Sequence, residues 1–410
     1  MTPYNKTINR MLASNIIRLL VISLIIAIGI SVITGIATFP YQMREAIKQE
    51  GVSIENIQLI AILADRVEIL GNVLPQFFLI VAMLCVLITM TRLINEERAT
   101  IACLKTLGYS SFVITLRYFI FGFITLCIGC TIGVIVGNFA LRPLFFETLT
   151  QRFDVPNISM PILINEGILY SFVMSGFLFL AITISCIRAM KEQPASLLRP
   201  KILKSGGKFF LEYIPAIWRW FPFRYKSTLR NIWRYKIRMI LTIVTVAGGT
   251  IILFAGLGIL LSIGDYNSDS VMNFSSFVES FQIIALILTI FAVVLIVLIL
   301  FNLTNINIEE RRREIATLKV LGYTKIETSG FIFREILILS TMGIAIGLLA
   351  GYYFLDFLFE LIEFGDISLV QWFVWFITAA VAFVSVFFTD ILLYRKINKI
   401  DMTTSLKAVE

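Results

Sequence analysis

The chain holds no histidine and only five cysteines, which removes most of the covalent chemistry a protein of 410 residues could perform. Without histidine there is no usual proton shuttle, no commonest metal ligand and no histidine-based hydrolytic triad. Cys85, Cys103, Cys127, Cys130 and Cys186 all lie in or beside apolar runs. Cys127 and Cys130 form a C-x-x-C, but the setting offers nothing to stabilise a thiolate, so the pair reads as small-residue packing. No G-x-x-x-x-G-K-[ST] phosphate loop occurs in the sequence, so the chain has no such motif for cradling ATP. No catalytic residue, no metal and no directly bound cofactor are expected.

What remains is non-covalent chemistry, and it is written twice. EERATIACLKTLGY (96–109) returns 214 residues later as ERRREIATLKVLGY (310–323), with nine of fourteen positions identical. As a helix, Ile101, Leu104 and Leu107 form one apolar stripe, while Arg98 and Lys105, seven apart, share another face. Ile315, Leu318 and Leu321 repeat the stripe, and Arg312 and Lys319 repeat the cations. Gly108 and Gly322 suit the left-handed position that ends a helix, with Tyr109 and Tyr323 just beyond. An apolar stripe beside paired cations is a docking surface. Snorkelling would account for the Arg and Lys, but not for Glu96 and Glu310, the stripe and the glycine in one register. The same offset carries Gly129, Gly133 and Gly137 onto Gly343, Gly347 and Gly351. Small residues every four positions let two helix backbones approach closely. The spacing fits a sliding interface and static packing equally.

These motifs must be held by membrane helices. The chain is 58% hydrophobic and 15% charged, with mean hydropathy +0.89, against about 25% charged residues in soluble domains. Eight runs reach the roughly 20 apolar residues needed to cross a bilayer. They are 16–39, 74–93, 118–141, 168–187, 240–263, 283–303, 336–358 and 370–393. The first is too long for a signal-peptide core and reads as a retained anchor. The expected fold is an all-α integral membrane protein. It has eight transmembrane helices as two homologous four-helix halves, with both termini cytoplasmic. The first half spans 1–198, a basic and aromatic cytosolic linker with an interfacial elbow spans 199–235, and the second half spans 236–410. Basic and aromatic residues at 209–238 suit a helix lying in the membrane interface. Arg10 and Arg18 echo the spacing of Arg230 and Arg238.

Charge sets the orientation. With both termini inside, the outer loops hold five of the 35 basic residues: Arg44, Lys48, Arg66, Arg142 and Arg152. Fifteen of the 27 acidic residues fall outside, Asp265, Asp269, Glu279, Asp356, Glu360, Glu363 and Asp366 among them. This is a positive-inside pattern. It assigns the net charge of +8 to membrane lipid headgroups and not to nucleic acid. Ionisable residues deep in the runs are scarce. Glu335 with Arg334, and Asp390 with Arg395, sit near inner span ends. An ion-coupled carrier usually keeps such groups at the midplane, so that reading is the weaker one.

Residues 96–109 and 310–323 resemble the E-R-x-x-E-I-A-x-L-K-x-L-G-Y signature of the FtsX-like permeases of ABC transporters. That family includes the macrolide-exporter and lipoprotein-releasing permeases. Thr100 stands where the family has Glu, and Glu314 keeps it in the second copy. The half endings at 193–201 and 399–410 are also similar to the family's. The resemblance implies a multi-pass subunit of the bacterial cytoplasmic membrane that is not itself an enzyme. A partner ABC ATPase, a dimer, would use ATP and Mg2+. Coupling helices near 95–109 and 309–323 would dock on it through Glu96, Arg98, Ile101, Leu104, Lys105, Gly108 and Tyr109 in one copy. The second copy would use Glu310, Arg312, Ile315, Leu318, Lys319, Gly322 and Tyr323.

The sequence departs from many such relatives in one way. The loops at 41–72 and 264–281 are too short for a large extracytoplasmic domain. The first reads as helical pieces, a stalk extending the spans. This leaves a minimal relative, a truncated form, or a permease whose substrate leaves the membrane directly. The implied function is ATP-driven export or extraction of a hydrophobic or amphiphilic substrate such as a lipid, peptide or drug-like molecule. The alternative is a non-transporting signal relay acting on an extracellular partner such as a cell-wall hydrolase. The short outer loops count against that partner.

Overall fold

A computed structural model describes residues 3–48, 54–144, 164–193, 222–234, 236–262, 274–363 and 365–398. Most of the 199–235 linker, Asp265 and Asp269, and the half endings beyond Gln193 and Asn398 lie outside these residues. In lipid every backbone polar group must be satisfied within the protein, so long apolar runs become helices. In chain order they are α1 (Pro3–Ser14), α2 (Ile16–Ile47), α3 (Ile54–Glu96), α4 (Arg98–Thr106) and α5 (Ser111–Val136). A π-helical segment, Gly137–Leu141, continues α5. Then come α6 (Ile164–Lys191), α7 (Phe223–Arg234), α8 (Lys236–Ser262), α9 (Phe274–Glu310), α10 (Arg312–Val320), α11 (Lys325–Ile362) and α12 (Trp372–Asn398). No strand occurs among the described residues. Eight of these helices are long and apolar enough to cross a membrane.

Several helices outrun their apolar cores. The 43 residues of α3 reach about 65 Å at 1.5 Å per residue, twice a hydrocarbon core of about 30 Å. Hydropathy stops at Asp65 and Glu68, but the helix does not. The tails of α2 and α3 therefore project together as a two-helix stalk. Arg44 binds Asp65 at 3.1 Å and Glu68 at 2.5 Å across it. These pairs are exposed, so they set register more than stability. Arg66 reaches Glu363 at 2.8 Å, tying the stalk to the end of α11. That end is closed by Glu363 at φ +50° and Gly365 at φ +93°. Asp366 then accepts from the Ser368 amide at 2.8 Å. This bond holds the Asp366 carboxyl below the usual carboxylate range.

The bundle centre lies on the first spans. The membrane cores of α2 and α8 are 78% buried, against 28% for α6 and 33% for α12. The outer helices thus present Phe172, Phe179, Phe376 and Ile391 to lipid. The first and last four spans meet through α2 and α3 against α8 and α9. At the end nearest the repeated motif this junction is polar. Asn302 Nδ2 donates to Thr89 Oγ1 at 2.7 Å and to Cys85 Sγ at 3.2 Å, and Arg92 donates to Asn307 Oδ1 at 3.3 Å.

Glu335 and Asp390 have different surroundings. Glu335 binds Arg311, while the Arg334 Nε donates to the Gly330 carbonyl at 2.7 Å. Asp390 is buried, and its Oδ1 has no hydrogen-bond partner. Neighbours along a helix at i and i+1 do not face each other. Of the C-x-x-C, Cys130 is half-buried and packs against the core as expected, while Cys127 is exposed.

Candidate functional site

Each copy of the repeated motif builds one hairpin between two long helices. The chain leaves α3 at Glu96, turns at Glu97 and runs through α4. The turn after α4 is a Schellman closure: the Tyr109 amide donates to the Leu104 carbonyl at 3.1 Å and the Gly108 amide to that of Lys105 at 3.1 Å. Gly108 sits at φ +84° to allow it. Ser110 then caps α5, its hydroxyl accepting from the Val113 amide. The second copy repeats this bond for bond. The Tyr323 amide donates to Leu318 and the Gly322 amide to Lys319, with Gly322 at φ +91°. Thr324 caps α11 in a capping box with Glu327. The L-K-x-L-G-Y-[ST] string thus encodes a helix stop followed directly by a helix start.

Four of the repeated polar residues, Glu96, Arg98, Lys105 and Lys319, bind the chain itself. Glu96 holds Arg18 through two bonds, at 2.5 and 3.0 Å. Arg98 pairs with Glu192. Lys105 Nζ donates to the carbonyls of Met190 at 2.7 Å and Glu192 at 2.9 Å. Lys319 Nζ donates to the Ile397 carbonyl at 3.0 Å. Both lysines therefore bind the last carbonyls of a long helix, α6 or α12, where a cation is favoured. Arg312 is exposed, and the Glu310 side chain is outside the described residues. The apolar stripe also turns inward: Ile101, Leu104 and Ile315 are buried and Leu318 is half-buried.

What each hairpin shows outward is its tip. Leu107 is 73% exposed and Phe112 76%; their counterparts 214 residues on, Leu321 and Ile326, are 69% and 74% exposed. Val320 and Tyr323 widen the second tip, whereas Tyr109 is half-buried. Sequence reasoning named Leu107 and Leu321 but missed Phe112, Val320 and Ile326. The available signal was an apolar residue in the first turn after a Ser or Thr cap, repeated at the same offset. It also missed the buried ion pairs at the base of each hairpin. Arg117 Nη2 binds Glu97 at 2.9 Å, and Arg311 binds Glu335.

The glycine ridges tie each hairpin's second long helix to a first span. Substituent carbons at Gly129 and Gly133 would lie 2.8 Å from the carbonyl oxygens of Ser23 and Ala27 on α2. Gly137 abuts Thr34 of the same helix. In the second copy Gly343 and Gly347 meet the carbonyls of Ile243 and Ala247 on α8 at 3.1 and 2.8 Å, and Gly351 meets Phe254. Backbone thus touches backbone in both places.

No group of three or more Cys, Asp or Glu side chains placed to hold a metal ion occurs among the described residues. No curated protein and no solved structure matches the chain. The model of one family, the FtsX-like permease C-terminal, matches residues 72–194 and again 286–402. The two matches cover more than half of the chain and start 214 residues apart, the offset of the repeat.

Proposed function

The chain belongs to the FtsX-like permease family, and from that premise we propose that it is the membrane subunit of an ABC transporter driven by a separate ATPase that docks on the two hairpin tips. It is a multi-pass membrane protein of two four-span halves in the bacterial cytoplasmic membrane. Its termini and both tips face the cytosol. The positive-inside distribution of Lys and Arg supports this orientation. A two-fold ATPase dimer, consuming ATP and Mg2+, meets one tip with each subunit.

The observation that carries this reading is the pair of exposed apolar tips at equivalent positions, Leu107 with Phe112 and Leu321 with Ile326. Exposed apolar residues grouped in this way mark interaction surfaces. The first tip, 106–112, carries no basic residue, which suits a protein socket better than an anionic headgroup layer. The substrate is hydrophobic or amphiphilic. The described charged residues inside the spans gather toward the two ends of the spans, leaving the membrane centre without an ion path.

Capture of the partner ATPase by the purified chain tests the reading. The wild type retains the ATPase. Leu107→Asp with Phe112→Asp, or Leu321→Asp with Ile326→Asp, weakens capture at least about tenfold, which is roughly 1.4 kcal/mol. Unchanged capture with all four positions altered would overturn the docking assignment.

A further inference from the structure

Both short helices begin on a residue that makes a poor helix start. N-caps are normally Ser, Thr, Asp or Asn, whose side chains bind the free amides of the first turn. Glu97 begins α4 and Arg311 begins α10, and neither side chain makes a capping bond. Arg311 is also the wrong sign, since a helix N-terminus favours anions. Local helix physics therefore selects against it, and the reason for these residues lies elsewhere.

It lies on the next long helix. Glu97 binds Arg117 of α5 at 2.9 Å, and Arg311 binds Glu335 of α11 while its guanidinium lies over the Phe331 ring. Positions 97 and 311 are equivalent under the 214-residue offset, yet their charges are opposite. The partners are not equivalent: Arg117 corresponds to Phe331, and Glu335 sits one helical turn further on. The same link has thus been made from different residues, with reversed polarity and shifted register. The Arg117, Arg311 and Glu335 side chains are all at least nine-tenths buried, and Glu97 is mostly buried. Buried pairs of this kind are strongly disrupted when one partner is lost, because a charge remains out of water.

We propose that these two ion pairs are struts that carry displacement of the docked tips into the spans. Phe112 and Ile326 already belong to α5 and α11, and the ion pair adds a second link from the N-cap of the short helix to the same long helix, so that the hairpin moves as one body and bears on α2 or α8 across the glycine ridge. Glu97, Arg117, Arg311 and Glu335 are positioning residues in this link. The proposal rests on the docking reading but uses none of the tip residues, so the two can fail separately.

The test places bio-orthogonal spin labels at Phe139 and Tyr353. These exposed, equivalent positions lie far along α5's π-helical continuation and α11. The distance between them is measured in the complex with the ATPase, with and without a non-hydrolysable ATP analogue. The wild type should show a nucleotide-dependent shift in distance. Glu97→Gln and Glu335→Gln should still capture the ATPase but lose most of that shift. The double reversal Glu97→Arg with Arg117→Glu should recover it, as should Arg311→Glu with Glu335→Arg. A full shift in the glutamine variants overturns the strut, as does a wild type with no shift or a failure of both reversals to recover it. Loss of ATPase capture by the wild type overturns the docking reading, and the strut falls with it.

Discussion

Single residues decide whether each tip is presented at all. Gly108 and Gly322 hold left-handed backbone with nothing within 4 Å of a would-be side chain. The cost of replacing them is therefore conformational and not steric. A β-branched residue there pays about 1–2 kcal/mol for the left-handed region, while Asn tolerates it. Gly108→Val should lower thermal stability in detergent by that amount and weaken ATPase capture, and Gly108→Asn should be close to wild type. Equal behaviour of the two variants would contradict the Schellman account. This part of the site was legible because a Gly-Tyr-Ser/Thr string stops one helix and starts another by local bonds alone. The targets of Lys105 and Lys319 were not legible. They are carbonyls of Met190, Glu192 and Ile397, and a carbonyl leaves no trace in residue type. The stripe was legible as a stripe, but periodicity does not say which side it faces. Ile101 and Ile315 turned toward the chain.

At the scale of elements, the glycine spacing announced a close helix contact without naming the partner helix. That partner is the first span of the same half, α2 for α5 and α8 for α11, the two most buried spans of the bundle. Spacing also left sliding and static packing open. Carbonyl oxygens at 2.8 Å from Gly133 and Gly347 positions leave no slack for a side chain in this conformation. Gly133→Val and Gly347→Val should each cost about 1–3 kcal/mol as overpacking. A measurable readout is earlier loss of folded protein on heating, with weaker cysteine cross-linking between α2 and α5 or between α8 and α11. Wild-type melting in both variants would show that the ridges separate freely. The apolar runs mark only the membrane part of each helix, and the helical stalk expected beyond them is present in α2 and α3. Hydropathy ends where charges such as Asp65 begin, but hydrogen bonding along α3 continues through them to Ile54.

For the whole molecule, composition and the repeat were enough to expect eight membrane helices, since lipid leaves the backbone few alternatives. They could not show how the copies differ. The second carries a broader apolar tip, a reversed ion pair and a continuous α11 where the first has a π-helical segment after Gly137. Such asymmetry fits a fused chain whose halves no longer need to be interchangeable. It leaves intact the feature on which the account depends, two equivalent apolar tips for one two-fold partner. The most direct test is photo-cross-linking from residues 107 and 321, compared with the lipid-facing positions 172 and 376, in membranes containing the partner ATPase. The account predicts ATPase adducts from both tips and none from 172 or 376. Adducts to lipid alone from 107 and 321, with the ATPase bound to the chain elsewhere, would contradict it.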